Sequence, residues 1–178
     1  VPVRFAARLS FIPATEDDVP RIAVTGHMNL TAGSVPLVYA AITDALTAAT
    51  GDELTGISCL ARGADSIFAE AVLDLGGSLE VVLPASGYRA QKVEPRDAVQ
   101  FDELVRRAAH VRTLPFPKAD RVAYEAANEV LVSSCDRLFA VWDGQTGADR
   151  GSTSSVVEYA GSRGIPVTVI WPRGARRG

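Results

Sequence analysis

The sequence predicts an α/β fold: a mainly parallel sheet of about six strands, flanked on both faces by helices in a three-layer arrangement. Two observations carry this expectation. Short β-rich runs alternate with helical patterns from Arg21 to Pro172, the mark of a parallel sheet wrapped by helices. Runs such as Val81–Leu83 and Leu138–Val141 are apolar at every position, as strands covered on both faces are.

The elements follow in order. The first strand, Arg21–Thr25, ends at Gly26. Ser34 is placed as the N-cap of a helix, with Pro36 in the first turn, where its missing N–H costs nothing. Leu37, Val38, Ile42 and Leu46 continue at helical spacing until Gly51 closes the helix. The second strand is Gly56–Ala61. Arg62-Gly63-Ala64-Asp65 then turns the chain into a helix carrying Ile67, Phe68, Ala71, Val72 and Leu75, which Gly76-Gly77 stops. Pro84 stops the third strand, Leu79–Leu83, and residues 84–96 read as a loop. A helix over Asp97–Ala108, a short strand at Val111–Leu114, a loop at Pro115 and Pro117 and a helix from about Tyr124 to Ser134 come next. The fifth strand, Arg137–Trp142, is the clearest and ends in Asp143-Gly144. A glycine-rich loop, a helix from about Ser152 to Arg163 and a last strand, Pro166–Trp171, complete the pattern.

At 178 residues the chain suits one domain, 1–178, since domains commonly hold about 100–200 residues. Residues 1–20 are an N-terminal extension. Residues 173–178, with Arg173, Arg176 and Arg177, read as a solvated, flexible tail. The apolar share of 47% and charged share of 22% are those of a soluble globular protein. A net charge of -3 argues against nucleic acid as a partner, which calls for a basic excess. Cys59 and Cys135 read as buried free thiols in a reducing compartment. Two histidines and no C-x-x-C pair leave no expected metal site. No apolar run approaches the roughly 20 residues that cross a bilayer, and the start lacks a signal-peptide pattern. A cytoplasmic protein without membrane contact is expected.

In open parallel sheets, ligands bind beyond the C-terminal strand ends, where strand order reverses. The candidate site is therefore read from the residues that follow each strand. These are Thr25-Gly26-His27, then Arg62-Gly63-Ala64-Asp65, then Arg89 in the loop after the third strand, then Asp143 and Gly144. Gly151-Ser152-Thr153, at the start of a helix, is the strongest local signal. Glycine lets backbone approach a ligand, and unpaired N–H groups at a helix N-terminus bind anions. Two readings stay open at most positions. Ser152 and Thr153 also suit ordinary caps, and Asp65 a helix cap. Arg62 and Arg89 can hold a phosphate by paired hydrogen bonds or simply pair with a carboxylate. His27 can meet a base or phosphate, or pin a loop. Glu158, a turn and a half into its helix, is the one candidate catalytic acid/base, or else a surface residue.

Taken together, Thr25-Gly-His27, Leu60-Ala-Arg-Gly-Ala-Asp65, Ala140-Val-Trp-Asp-Gly144, Gly151-Ser-Thr153 and Pro166–Trp171 resemble the SLOG superfamily, most of all its actinobacterial branch. That group unites the DNA-processing protein A domain, the "Lonely guy" phosphoribohydrolases and bacterial nucleotide sensors. The resemblance runs from about Arg21 to Pro172. It implies a Rossmann-like fold, often dimeric, with a phosphate cradle in the glycine-rich loop and no further cofactor. The phosphoribohydrolases carry Pro-Gly-Gly-x-Gly-Thr-x-x-Glu there, whose glutamate assists cleavage of an N-glycosidic bond. Here Val156 stands three residues after Thr153, and the nearest carboxylate is Glu158, displaced by roughly 200° around a helix. Nucleotide sensors of the group often carry arginine after the Gly-His pair, where this chain has Met28; that contact is either missing here or supplied by Arg62 or Arg89. The resemblance thus implies binding of a phosphate-bearing nucleotide or nucleotide-derived ligand, as in a sensor. Hydrolysis of nucleoside monophosphates is the alternative.

Overall fold

The structure, a computed structural model, describes residues 19–146 and 152–178. Six strands form one sheet: β1 (Arg21–Gly26), β2 (Thr55–Ser58), β3 (Ser78–Leu83), β4 (His110–Thr113), β5 (Arg137–Val141) and β6 (Val167–Ile170). Their order is β4-β3-β2-β1-β5-β6, and every neighbouring pair is parallel. The helices are α1 (Ser34–Ala49), α2 (Ala64–Asp74), α3 (Tyr88–Lys92), α4 (Ala98–Arg107), α5 (Arg121–Ser133) and α6 (Thr153–Ser162). This is the three-layer, Rossmann-like arrangement that the alternating pattern predicts.

The alternation of side chains along each strand divides the core between two faces. Ile22 and Val24 of β1, with Phe139 and Val141 of β5, pack against Val38, Ile42 and Leu46 of α1 and Phe68 and Val72 of α2. Ala23, Ile57 and Leu138 point the other way, toward Ala127 and Leu131 of α5 and Val156 and Ala160 of α6. Leu79 and Val81 of β3 join Phe101 and Leu104 of α4. The chain steps outward from β1 to β4, then returns to the far side of β1 for β5 and β6. Right-handed crossovers require the helices to change faces at that reversal. The reversal lies between β1 and β5, and it fixes where a cleft opens.

Some elements differ from the expectation for identifiable reasons. β2 leaves the ladder after Ser58, because Leu60 adopts a left-handed φ of 54° and turns the chain toward α2. Residues 84–96 contain the short α3, too brief to show a helical period. The N-cap of α1 is Gly33, and Ser34 is its first helical residue. The Ser34 hydroxyl instead accepts from Arg176 N (2.7 Å) and donates to Arg176 O (3.0 Å). The expected loose tail is tied down. Leu30 bridges Arg177 in antiparallel fashion, Thr31 N donates to Arg176 O, and Ala175 packs against the α1–α2 core. Among the described residues no helix is long and apolar enough to cross a membrane.

Candidate functional site

β1 delivers Gly26 and His27 to the C-terminal end of the sheet, beside the residues that leave β5. Gly26 sits where a side chain cannot: a Cβ would lie 2.5 Å from Ala64 Cβ and 2.8 Å from Val141 O. Gly63 is equally constrained, with φ of 83° and a Cβ position 2.6 Å from His27 O. These two glycines let the loop after β1, the start of α2 and the end of β5 touch backbone to backbone. Ala64 is fully buried at that junction, its N–H donating to His27 O. Its part is packing, with no surface left for a ligand. Thr25 lies in the ladder opposite Ala140 and lines neither cleft described below.

His27 Nε2 lies 3.0 Å from Asp143 Oδ1, and its ring meets Trp171 edge-on at 5.5 Å. The Asp143 N–H also points to Nε2, at 3.3 Å, so this nitrogen donates to the carboxylate in one tautomer and accepts from the backbone in the other. Asp143 also accepts from Gln145 N (3.1 Å) and from Arg177 Nη1 (3.3 Å). Burial pushes its carboxyl up, but the Gln145 N–H, His27 and Arg177 outweigh it and hold the carboxyl below its ordinary value. His27 and Asp143 therefore brace the loops after β1 and β5. Gly144 follows with φ of 80°, turning the chain away from β5.

Among the described residues, two clefts bear on this site. The smaller, about 260 Å³, stands at the strand-order reversal between Gly26–Asn29, Trp142 and Gln145, Ser152–Ser154 and Arg177. Ser152 is the N-cap of α6 and makes no side-chain capping bond, and the first turn carries no acidic residue. Ser152, Thr153 and Ser154 line the cleft, so the positive end of the α6 dipole lies beside it. Gly151, expected in the same cradle, lies outside the described residues. The larger cleft, about 640 Å³, lies off the reversal, over the start of α2, with Arg62 and Gly63 in its wall. Size favours the larger as the main site, and the strand-order rule favours the smaller. The α6 terminus gives the smaller one the clearer anion chemistry. Met28 and Asn29 line both.

The remaining candidates are dispersed. Arg62 Nη1 reaches Glu94 Oε1 at 3.2 Å, and Arg96 Nη2 holds the other oxygen at 2.8 Å. Arg89 lies in α3 with its guanidinium paired bidentately to Asp102, outside both clefts. Asp65 neither caps α2 nor reaches a cleft. It is only 7% exposed and folds back to accept from Ala61 N (3.3 Å). Burial without a cationic partner raises its carboxyl to about 7, against the lowering pull of the Ala61 and Cys59 N–H groups. Glu158 is exposed on α6 and lines neither cleft. The carboxylate displaced in sequence is thus also displaced in space. Sequence reasoning passed over Arg177 and Gln145. The Arg176-Arg177 pair was the available signal, but its glycine-bearing surroundings pointed to a loose tail.

No family model matches this chain, and no curated protein does. Solved structures do. DNA processing protein A from Streptococcus pneumoniae superposes with a TM-score of 0.64 at 19% identity, covering 88% of this chain and 52% of that one. Its Helicobacter pylori counterpart, described for its single-stranded DNA binding mode, gives 0.60 at 16% identity, covering 87% and 66%. The molybdenum cofactor binding protein of Rippkaea orientalis gives 0.54 at 17% identity, covering 85% and 76%. The chain thus spans about half the length of the pneumococcal protein and about two thirds of the Helicobacter one. At these identities the likeness establishes the fold, and it agrees with the SLOG resemblance of the sequence.

Proposed function

We propose that this domain binds a phosphate-bearing small molecule, a nucleotide or nucleotide derivative, in the cleft between the ends of β1 and β5. The observation that carries the reading is the start of α6. Its first turn holds three hydroxyl residues and no carboxylate, and it opens into a cleft at the strand-order reversal. A terminus of this kind favours an anion through its unpaired N–H groups and its dipole. Arg177, which lines the same cleft with its guanidinium paired to Asp143 at 3.3 Å, is the cation nearest to the one the sequence lacks at Met28. A similar fold in a protein named for binding the molybdenum cofactor supports a small-molecule ligand. Glu158 stands too far round α6 to serve a substrate held there, so binding is the activity favoured.

The test is a thermal-shift panel of nucleoside mono-, di- and triphosphates with wild type and Thr153→Asp. A ligand that binds only the folded state must raise its melting temperature. A carboxylate in the first turn suits the helix dipole but repels phosphate. Thr153→Asp should therefore keep the unliganded melting temperature while losing at least about tenfold in affinity, or about 1.4 kcal/mol. A panel that leaves the wild-type melting temperature unmoved at millimolar concentration would overturn the reading.

A further inference from the structure

The sheet has two edges, and they differ in charge. β6 carries no charged residue, whereas β4 reads His110-Val111-Arg112-Thr113 and is exposed at all four positions. Among the described residues β4 pairs only with β3, so the outward-facing N–H and C=O groups of its backbone meet no strand. Around it, residues 104–119 hold Arg106, Arg107, Arg112 and Lys118 and no carboxylate, in a chain whose net charge is -3. We infer that β4 is a docking edge for an extended peptide segment rich in Asp and Glu, which adds to the sheet as a further strand.

The cations of this edge are open to a partner. Arg107, Arg112 and Lys118 are exposed and form no ion pair among the described residues. Glu103, the carboxylate that Arg107 also influences, is already tied to Arg106 at 2.7 Å. Register puts His110 beside Glu80 and Arg112 beside Val82. Glu80 is itself held by Arg21 through both oxygens, at 2.7 and 3.0 Å, and Arg112 has no carboxylate beside it in the ladder. The same charges select the partner. A second copy pairing edge to edge would set cation against cation, which destabilises a strand pair. A strand with carboxylates at alternate positions meets His110 and Arg112, which share one face, while its apolar residues fall on the face of Val111, itself 43% exposed. Nucleic acid would answer the cations and leave the backbone groups unmet, whereas an added strand answers both.

Fluorescence anisotropy with a short, labelled, end-blocked peptide alternating Glu and Val tests this, at low salt, where charge pairing is strongest. Wild type should bind it with a Kd below about 1 mM. The same peptide with Lys in place of Glu should not bind. A version N-methylated at every amide keeps the charges but cannot pair as a strand, and should bind at least about tenfold more weakly. Arg112→Glu, at an exposed position outside both clefts, should cost the Glu–Val peptide at least about tenfold in affinity. Arg107→Glu serves as a second variant should the first fail to fold. No binding of the Glu–Val peptide to wild type up to about 1 mM, or an affinity unchanged in both variants, overturns the docking edge. An N-methylated peptide held as tightly as its parent overturns strand addition. A single-stranded oligonucleotide bound more tightly than the peptide, and weakened by the same two substitutions, assigns the edge to nucleic acid instead.

Discussion

Two aspartates stand at the same end of the sheet, and their charges are handled in opposite ways. Asp143, after β5, is met by His27, the Gln145 N–H and Arg177, and its carboxyl is held below the ordinary value. Asp65, after β2, finds only backbone N–H groups, and burial raises its carboxyl to about 7. The side chain of Asp143 is itself only 12% exposed. Asp65 nonetheless lies much deeper, with no cation among its partners, so depth and partners together decide the charge. Around Asp143 the fixed charge braces loops beside a cleft. Around Asp65 the carboxyl shapes the turn through Leu60 that presents Arg62.

The largest effect that sharpens this contrast is expected at Asp65. A carboxyl raised in the folded state holds its proton there while the unfolded chain has lost it. It therefore weakens the fold as pH rises from about 4 to about 7, and the loss is complete above that. Three pK units correspond to roughly 4 kcal/mol as an upper bound. Asp65→Asn keeps an acceptor for Ala61 N and cannot ionise. Denaturant melts at pH 4.5 and 8 should show the variant gaining on wild type by a large part of that amount. Equal pH slopes would remove Asp65 from the comparison.

Asp143→Ala should give a smaller loss of opposite sign in pH. The substitution strips His27 and Arg177 of their shared partner, at a cost of about 1–3 kcal/mol near neutral pH. A depressed carboxyl contributes stability above its unfolded value near 4 and gives it up as pH falls through its folded value. The gap between variant and wild type should therefore narrow in acid melts. A constant gap down to pH 2 would assign the loss to packing alone. The smallest effect is expected at Arg89, whose partner Asp102 is as exposed as itself. Arg89→Ala should move the melting temperature by about 1 °C or less and leave ligand affinity unchanged in the thermal-shift panel above.

The central strands were legible because they are buried on both faces: Leu138–Val141 and Val81–Val82 have no polar side to confuse the period. The edge strands β4 and β6 are largely exposed and were placed by the alternation of strand and helix patterns. The loops after β1 and β5 were legible for a related reason, since a parallel sheet leaves few other places for a ligand. What stayed hidden depends on contacts distant in sequence. Ser34 has the local pattern of a cap, and only its pairing with Arg176 shows that it anchors the tail. Arg62 and Arg89 look alike in sequence, both arginines in loops after neighbouring strands. Asp102 claims one and the cleft wall keeps the other. Asp65 reads as a cap because spacing says nothing about the direction in which a carboxylate folds back.

The place of β1 in the sheet bears on how the site comes into being. One edge of β1 is satisfied by β2, about 35 residues on, but its other edge pairs Ile22 with Arg137. Long-range pairing of this kind is slow, because the connecting chain must be ordered first. During synthesis at about 5–20 residues per second, the second edge of β1 waits on the order of ten seconds for its partner. The wall that holds Ser152 and Arg177 follows later still. A nascent chain therefore has no site to offer, and capture of the ligand would mark a domain whose assembly is finished.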